Sequence, residues 1–178
     1  MIFMHLKIEG VEGESKDELY SGWMEILAWS WGVGQGYERD FEMDYTHCQD
    51  ISLTKWIDCA SPVLCKSCLE KRVFPEATLE LRRGNVDKDL YVVYKLKDCK
   101  ITSCSFGGSG GEDRLTENIS ISFKQMDWIY YPPKSSRKEN DTVVKESIVS
   151  PPKYFRKKKN RNRRSEERRV GKECRSRW

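Results

Sequence analysis

The chain has 178 residues, 38% of them hydrophobic and 34% charged, a length that suits one domain with an appendage. Residues 153–178 carry thirteen Lys or Arg against three Glu, net +10, which leaves 19 basic against 25 acidic residues before them, net −6, so the overall +4 describes the tail and misdescribes the body. No apolar run approaches the ~20 residues of a membrane-spanning helix, and the first ten residues lack the cationic flank and apolar stretch of a signal peptide, so neither membrane insertion nor leader-directed export is expected.

Met4, Leu6 and Ile8 alternate with Phe3, His5 and Lys7, which predicts a first strand. Residues 23–31 are apolar on both faces apart from Glu25 and Ser30, the pattern of a strand covered on both sides. Residues 32–36 are glycine-rich and read as a loop. Residues 51–57 form the next strand, and then Ser61-Pro62 opens a helix over 63–72. Its expected N-cap is Ser61, Pro62 sits at its first position, and Leu64, Cys65, Cys68 and Leu69 share one stripe. Further strands are predicted over 77–82, 90–97, 99–106 and 119–131, with a second glycine-rich loop over 107–111. The strand count points to a closed or nearly closed β-barrel with one short helix against it. After Tyr131 the chain turns to Pro132-Pro133, a polar stretch, Pro151-Pro152 and a Lys/Arg run. The domain is therefore expected to span 1–132, with a polar and basic tail over 133–163 that is disordered beyond about residue 135.

Four blocks carry a family resemblance: GESKDELYSGWMEILAWSWGV (13–33), LTKWIDCASPVL (53–64), FPEATLELRR (74–83) and GGSGGEDRLTENISISF (107–123). In this order and spacing, across most of residues 3–131, the chain resembles the haemolysin-coregulated protein family, Hcp. The resemblance implies a mainly β fold, an Hcp-like barrel with one flanking short α-helix and here a disordered C-terminal tail. It also implies self-assembly into hexameric rings that stack as the inner tube of the type VI secretion system. The partners so implied are other copies of the chain, the spike protein at the tube end, the contracting sheath, and effector proteins held in the lumen. The protein would wait in the bacterial cytoplasm and leave it on firing, without a signal peptide.

By the same resemblance, assembly contacts fall on Gly32, Val33, Gly34, Gln35, Tyr37, Phe41, Met43 and Tyr45, in the loop directed at the adjacent ring, and on Gly107, Gly108, Ser109, Gly110 and Gly111. The first loop departs from the family, where it is small and glycine-rich: residues 37–47 read YERDFEMDYTH. Phe41, Met43 and Tyr45 alternate with Glu42 and Asp44, so an ordered hairpin arm is expected here. A ring of identical barrels needs one face of a subunit to fit a different face of its neighbour. The surplus apolar residues of 23–31 are expected under the helix or at such a contact.

The sequence's candidate chemistry yields to simpler readings. GGSGGEDRLTEN lacks the Gly-Lys-Ser/Thr ending of a phosphate loop, and Glu112, Asp113 and Glu117 would repel phosphate, so a loop in which Arg114 pairs a carboxylate is expected. Cys65 and Cys68, with Cys59 and His47 or Cys48, invite a zinc site. Yet they lie on a helix, and Cys99 and Cys104 are spaced too widely for a second ligand pair. Core or interface cysteines, with Cys99 and Cys104 on opposite sheet faces, are expected. The odd total of seven, in a chain of this size, argues for reduced thiols. His5 and His47 stand in no nucleophile motif. No catalytic residue, cofactor or metal ligand is assigned, and the chain reads as a structural protein.

The basic tail supports an alternative from another class, a nucleic-acid-binding barrel whose affinity would fall steeply with salt and vanish without residues 153–178. A zinc-dependent enzyme or metal-stabilised module is the third reading, to be revived by stoichiometric zinc that is lost on replacing Cys65 and Cys68. Against the nucleic-acid reading, RSEERRVGKECRSRW (164–178) resembles the in-frame translation of a common sequencing adapter, and this extension is read as non-native.

Overall fold

A computed structural model of the chain describes residues 1–38, 43–84, 89–111, 113–132 and 143–150. The strands are β1 (Ile2–Ile8), β2 (Met24–Ser30), β3 (Val33–Glu38), β4 (Met43–Cys48), β5 (Ile51–Trp56), β6 (Val73–Arg83), β7 (Asp89–Gly107), β8 (Thr116–Ser122), β9 (Gln125–Tyr130) and β10 (Val144–Val149), and α1 (Ser61–Leu69) lies between β5 and β6. Six strands close a barrel in the order β7-β6-β1-β2-β5-β8 and back to β7, every pair antiparallel. Closure removes the open edges that would otherwise pair with other chains. The interior is filled from all sides, by Leu6, Ile8, Met24, Ile51, Leu64, Phe74, Leu79, Leu96, Ile119, Ile121 and Met126 among others.

Two sequence-predicted strands, 90–97 and 99–106, are one strand, β7, whereas the single strand predicted over 119–131 divides into β8 and β9. The two differences have one origin. One edge of β7 pairs with β6 along residues 89–100, and its other edge is shared, residues 92–97 with β9 and 100–107 with β8. Asp98 sits between the halves in the left-handed region (φ 51°), which Asp tolerates better than most residues. Opposite this irregularity the chain breaks at Phe123–Lys124, where Lys124 Nζ meets Asp98 Oδ2 at 3.1 Å and Lys124 N–H donates to the Lys97 carbonyl at 3.1 Å. On one side of the break β8 runs on to β5 and shuts the barrel. On the other side β9 leaves it and pairs with β10.

β10 corrects an expectation of disorder, because residues 144–149 lie in the stretch predicted to be a disordered tail. Its pattern, Val144 to Val149 around Lys145 and Glu146, is too polar to announce a strand alone. The register with β9 holds it, together with Ser147 Oγ and Lys145 Nζ on the Asp127 carboxylate at 2.7 and 3.2 Å. The expected disorder over residues 151–163 and the extension over 164–178 lie outside the described residues.

β2 is not covered on both sides. Met24 and Ile26 are buried, but a bulge between Ile26 and Ala28 re-aims the strand, leaving Leu27 and Ala28 exposed while Trp29 packs on the core. The outer face of β1 and β6 is covered instead by the loop before β2. Tyr20 stacks flat on buried His5 (4.0 Å, 2° between rings), donates to Glu80 Oε2 at 2.7 Å and accepts from Arg82 Nε. Burial, then Glu80, holds the Tyr20 hydroxyl protonated, well above the usual tyrosine range.

The helix is where it was predicted, but its cap and its stripe differ. Ala60 occupies the cap position without a side-chain bond, and the Asp58 carboxylate accepts the Ala60 N–H at 2.9 Å. Ser61 is the first helical residue, and its hydroxyl is turned inward, accepting from the Asp58 N–H (3.0 Å) and donating to Glu117 Oε1 (2.7 Å), which a cap could not do. The covered face runs through Ser61, Leu64 and Ser67, while Leu69 is 80% exposed because the chain turns away at Lys71 (φ 54°). Among the described residues no helix is long and apolar enough to cross a membrane.

Candidate assembly surfaces

Pairing across β2, β5, β8 and β7 places residues in rungs whose side chains share a face. Ala28, Thr54, Asn118 and Ser105 form one rung, and Ser30, Ser52, Ser120 and Ser103 form another. Both point out of the barrel, for the rung between them, Trp29, Leu53, Ile119 and Cys104, points in. The result is a shallow depression floored by eight short uncharged side chains, in a chain of which 34% is charged. Its polar groups bond to one another: Thr54 Oγ1 donates to the Asn118 amide Oδ1 at 2.7 Å, and Ser52 and Ser120 Oγ lie 3.3 Å apart. Such a face offers hydrogen bonds in any direction and no fixed charge. Sequence reasoning missed it, although the alternating Ser, Thr and Asn of the three later strands carry the signal.

A second surface opens where β9 departs. Trp29 touches Tyr94 (5.0 Å between centroids), Tyr94 stacks on Trp128 (5.9 Å), and Trp31 meets both Trp128 and Phe123 at 6.4 Å. Burial pushes the Tyr94 hydroxyl up to about 12. Trp31 Nε1 is buried with no hydrogen-bond partner among the described residues, and Trp128 remains 41% exposed. Tyr130, packed edge-on to Tyr91, and Val144 extend the exposed apolar strip.

The sequence-predicted assembly residues fall on two other elements. Val33, Gly34, Gln35 and Tyr37 lie on β3, and Met43 and Tyr45 on β4; the register Val33↔Cys48 through Glu38↔Met43 makes them a two-stranded sheet separate from the barrel. This is the expected hairpin arm, and it corrects the reading of residues 32–36 as a loop. Only Gly32 stays outside the strands, its carbonyl accepting the Gln49 N–H at 3.0 Å at the base of the arm. Phe41 lies outside the described residues. Gly107 ends β7, and Gly108, Ser109, Gly110 and Gly111 form the turn toward β8, with Gly111 at φ 101°. A Cβ on Gly108 would strike the Leu115 side chain. Arg114, expected against a carboxylate, lies over the Trp56 ring at 5.1 Å.

The six cysteines among the described residues are free. Cys99 and Cys104, expected on opposite faces, both join the core, since an irregularity between Ile101 and Ser103 shifts the pairing by one residue and restores the face. Burial pushes the Cys99 thiol up to about 12. Among the described residues no three His, Cys, Asp or Glu side chains converge as a metal site. His5 is stacked beneath Tyr20, and His47 is exposed on β4.

Residues 5–130 match the family model "Type VI secretion system effector, Hcp". Protein hcp1 of Pseudomonas aeruginosa is 37% identical over 136 residues, covering 74% of this chain and 84% of that protein. Among solved structures, a type VI secretion system effector from Yersinia pestis superposes with a TM-score of 0.68 at 30% identity, covering 82% of this chain and 98% of that one. A further type six secretion system protein gives a TM-score of 0.72 at 26% identity over 84% of this chain and 96% of that one.

Proposed function

Because the chain belongs to the Hcp family of the type VI secretion system, we propose that it is a structural subunit of the system's inner tube, closing into hexameric rings that stack and carry effector proteins in their lumen. The observation that supports this reading most directly is the uncharged hydroxyl face of β2, β5, β8 and β7. A lumen that must admit and release proteins of differing charge is served by short side chains that form hydrogen bonds without a fixed partner. A face lined by Lys or Glu would bind one sign of cargo and repel the other.

The half-exposed aromatic strip of Trp128 and Tyr130 supplies the contact between neighbours within a ring, as large exposed aromatic patches commonly do at interfaces. The β3–β4 arm, with Val33, Gly34, Gln35, Tyr37, Met43 and Tyr45, meets the next ring. The 107–111 turn lies at the same stacking contact. Spike protein and sheath complete the partners, and the subunit waits in the bacterial cytoplasm before firing. The unit that assembles is the barrel of residues 1–132 with β10 added, and residues 164–178 take no part.

The experiment is multi-angle light scattering and negative-stain microscopy of the purified chain. Six-fold annular particles with the mass of six subunits are expected. A chain that stays monomeric at high concentration overturns the proposal. Nucleic-acid affinity that falls steeply with salt and disappears without residues 153–178 would point to the other class instead.

A further inference from the structure

The sheet carries its inward face past the seam where β8 closes the barrel. Tyr94 on β7, Trp128 on β9 and Glu146 on β10 stand directly opposite one another in register, so their side chains leave the same face in that order. Tyr94 is buried and stacks on the Trp128 indole, with 25° between the rings at 5.9 Å. That covers one face of the indole, and the other is turned along the rung toward Glu146. Trp31 closes a side, edge-on at 76° and 6.4 Å. Trp128 and Glu146 both stay exposed. The row thus runs from core to solvent as a buried tyrosine, an open aromatic ring and a carboxylate.

An open ring face attracts a cation, and a carboxylate beside it holds the same cation by charge and by hydrogen bonds. The cation next to Glu146 in the chain does not fill this place, because Lys145 projects from the opposite face and pairs with Asp127 at 3.2 Å. Elsewhere in the molecule arginine takes this position. Each of the four arginines among the described residues lies over a ring, Arg72 on Phe74, Arg82 on Tyr20, Arg83 on Tyr91 and Arg114 on Trp56, at 4.1–5.3 Å. Among the described residues none of the four lies over Trp128.

We propose that Trp128 and Glu146 form a receptor for a guanidinium group, filled by an arginine of a neighbouring copy. The planar cation stacks on the open indole face and gives two N–H bonds to the Glu146 carboxylate, a fit that the point charge of a lysine does not match. That a neighbouring copy supplies the arginine rests on the ring contact proposed above. The receptor gives that contact charge and direction, where apolar packing alone would let the two surfaces slide. It also gives β10 a task, since this strand brings the carboxylate to the ring.

The test reads ring formation by light scattering in the full chain and in Trp128→Tyr, Trp128→Leu and Glu146→Gln. Trp128→Tyr keeps an aromatic face and should assemble within about threefold of the parent concentration. Trp128→Leu keeps only apolar bulk and should need roughly tenfold more protein. Glu146→Gln, at an exposed position where folding is not at stake, should also need roughly tenfold more. The double variant Trp128→Leu/Glu146→Gln should need little more than either single one, because both lose the same cation. Trp128→Leu assembling as well as Trp128→Tyr, an unchanged midpoint in Glu146→Gln, or single losses that multiply in the double variant overturns the proposal. A parent chain that stays monomeric overturns the ring reading, and the receptor is then tested on that monomer, labelled with fluorotryptophan. Its probe is argininamide, with citrullinamide as the counterpart lacking the guanidinium charge. The fluorine resonance missing from Trp128→Leu should shift saturably with argininamide and stay in place with citrullinamide. An equal response to both, or none to argininamide, overturns the receptor itself.

Discussion

Lys55 Nζ lies 2.6 Å from Glu117 Oε1, and neither side chain is exposed at all. The pair joins β5 to β8 at the barrel end where α1 begins. The same ammonium also reaches Asp58 Oδ1 at 2.7 Å and the Trp56 carbonyl at 2.7 Å, and Ser61 donates to the same Glu117 oxygen. Two carboxylates and one ammonium are thus held out of water where the helix meets the barrel, and each depends on the others.

Removing one member leaves a buried charge without its partner, which costs about 3–5 kcal/mol. Lys55→Met and Glu117→Gln are each expected to lower stability on that scale in urea unfolding. The double variant Lys55→Met/Glu117→Leu should recover much of the loss, because the desolvated charges of that pair go together. A double variant no more stable than Lys55→Met would show the pair to be less coupled than its geometry implies.

Asp127 anchors β10, and the hydrogen bond from Ser147, then Lys145, holds its carboxyl below the ordinary carboxylate value. A depressed folded-state value means that the contribution is present above the unfolded value and is lost as pH falls through the folded one. The loss therefore falls below about pH 4. Hydrogen exchange of the β10 amides should rise on acidification through that range ahead of the barrel amides. In Asp127→Asn the β10 protection should be lower at neutral pH and nearly flat below pH 5.

The register of β10 on β9 predicts the outcome of shortening the chain. A chain ending at Ser150 keeps the β9 edge covered and should melt with the full-length protein. One ending at Pro133 exposes that edge and the apolar strip beside it, and should aggregate at lower concentration while the barrel core keeps its protection. Equal solubility of the two would remove β10 from any structural role.

Trp128→Ser tests the aromatic strip. Its ring stacks on Tyr94 yet stays half open, so the monomer should lose little, whereas an interface anchor of this kind is worth about 2 kcal/mol or more on association. Scattering should show the midpoint for ring formation moved to roughly thirtyfold higher concentration. Ser103→Arg, on the hydroxyl face, should leave that midpoint unchanged.

The closed barrel, the single helix and the hairpin arm were legible because alternation and glycine spacing report local geometry. Where the reading failed, a distant partner decides. Asp98 reads as a gap between two strands and Lys124 as an ordinary strand residue until they meet across the fork that joins 90–97 to 99–106 and divides 119–131. Ser61 carries the signature of a cap, and only Glu117, 56 residues away, explains why its hydroxyl turns inward. The hydroxyl face escaped notice for the same reason. β5, β8 and β7 each contribute two unremarkable polar residues and β2 adds Ala28 and Ser30, and their meaning appears only when four strands stand side by side.

Because the cylinder shuts through β8, and β9 with β10 hangs from the other half of β7's edge, the outer pair is a flap hinged on a finished vessel. Peeling β10 away breaks six rungs on β9 alone and none of the seams that keep the barrel closed. A barrel built this way can lose its outermost strand and keep its packed core closed.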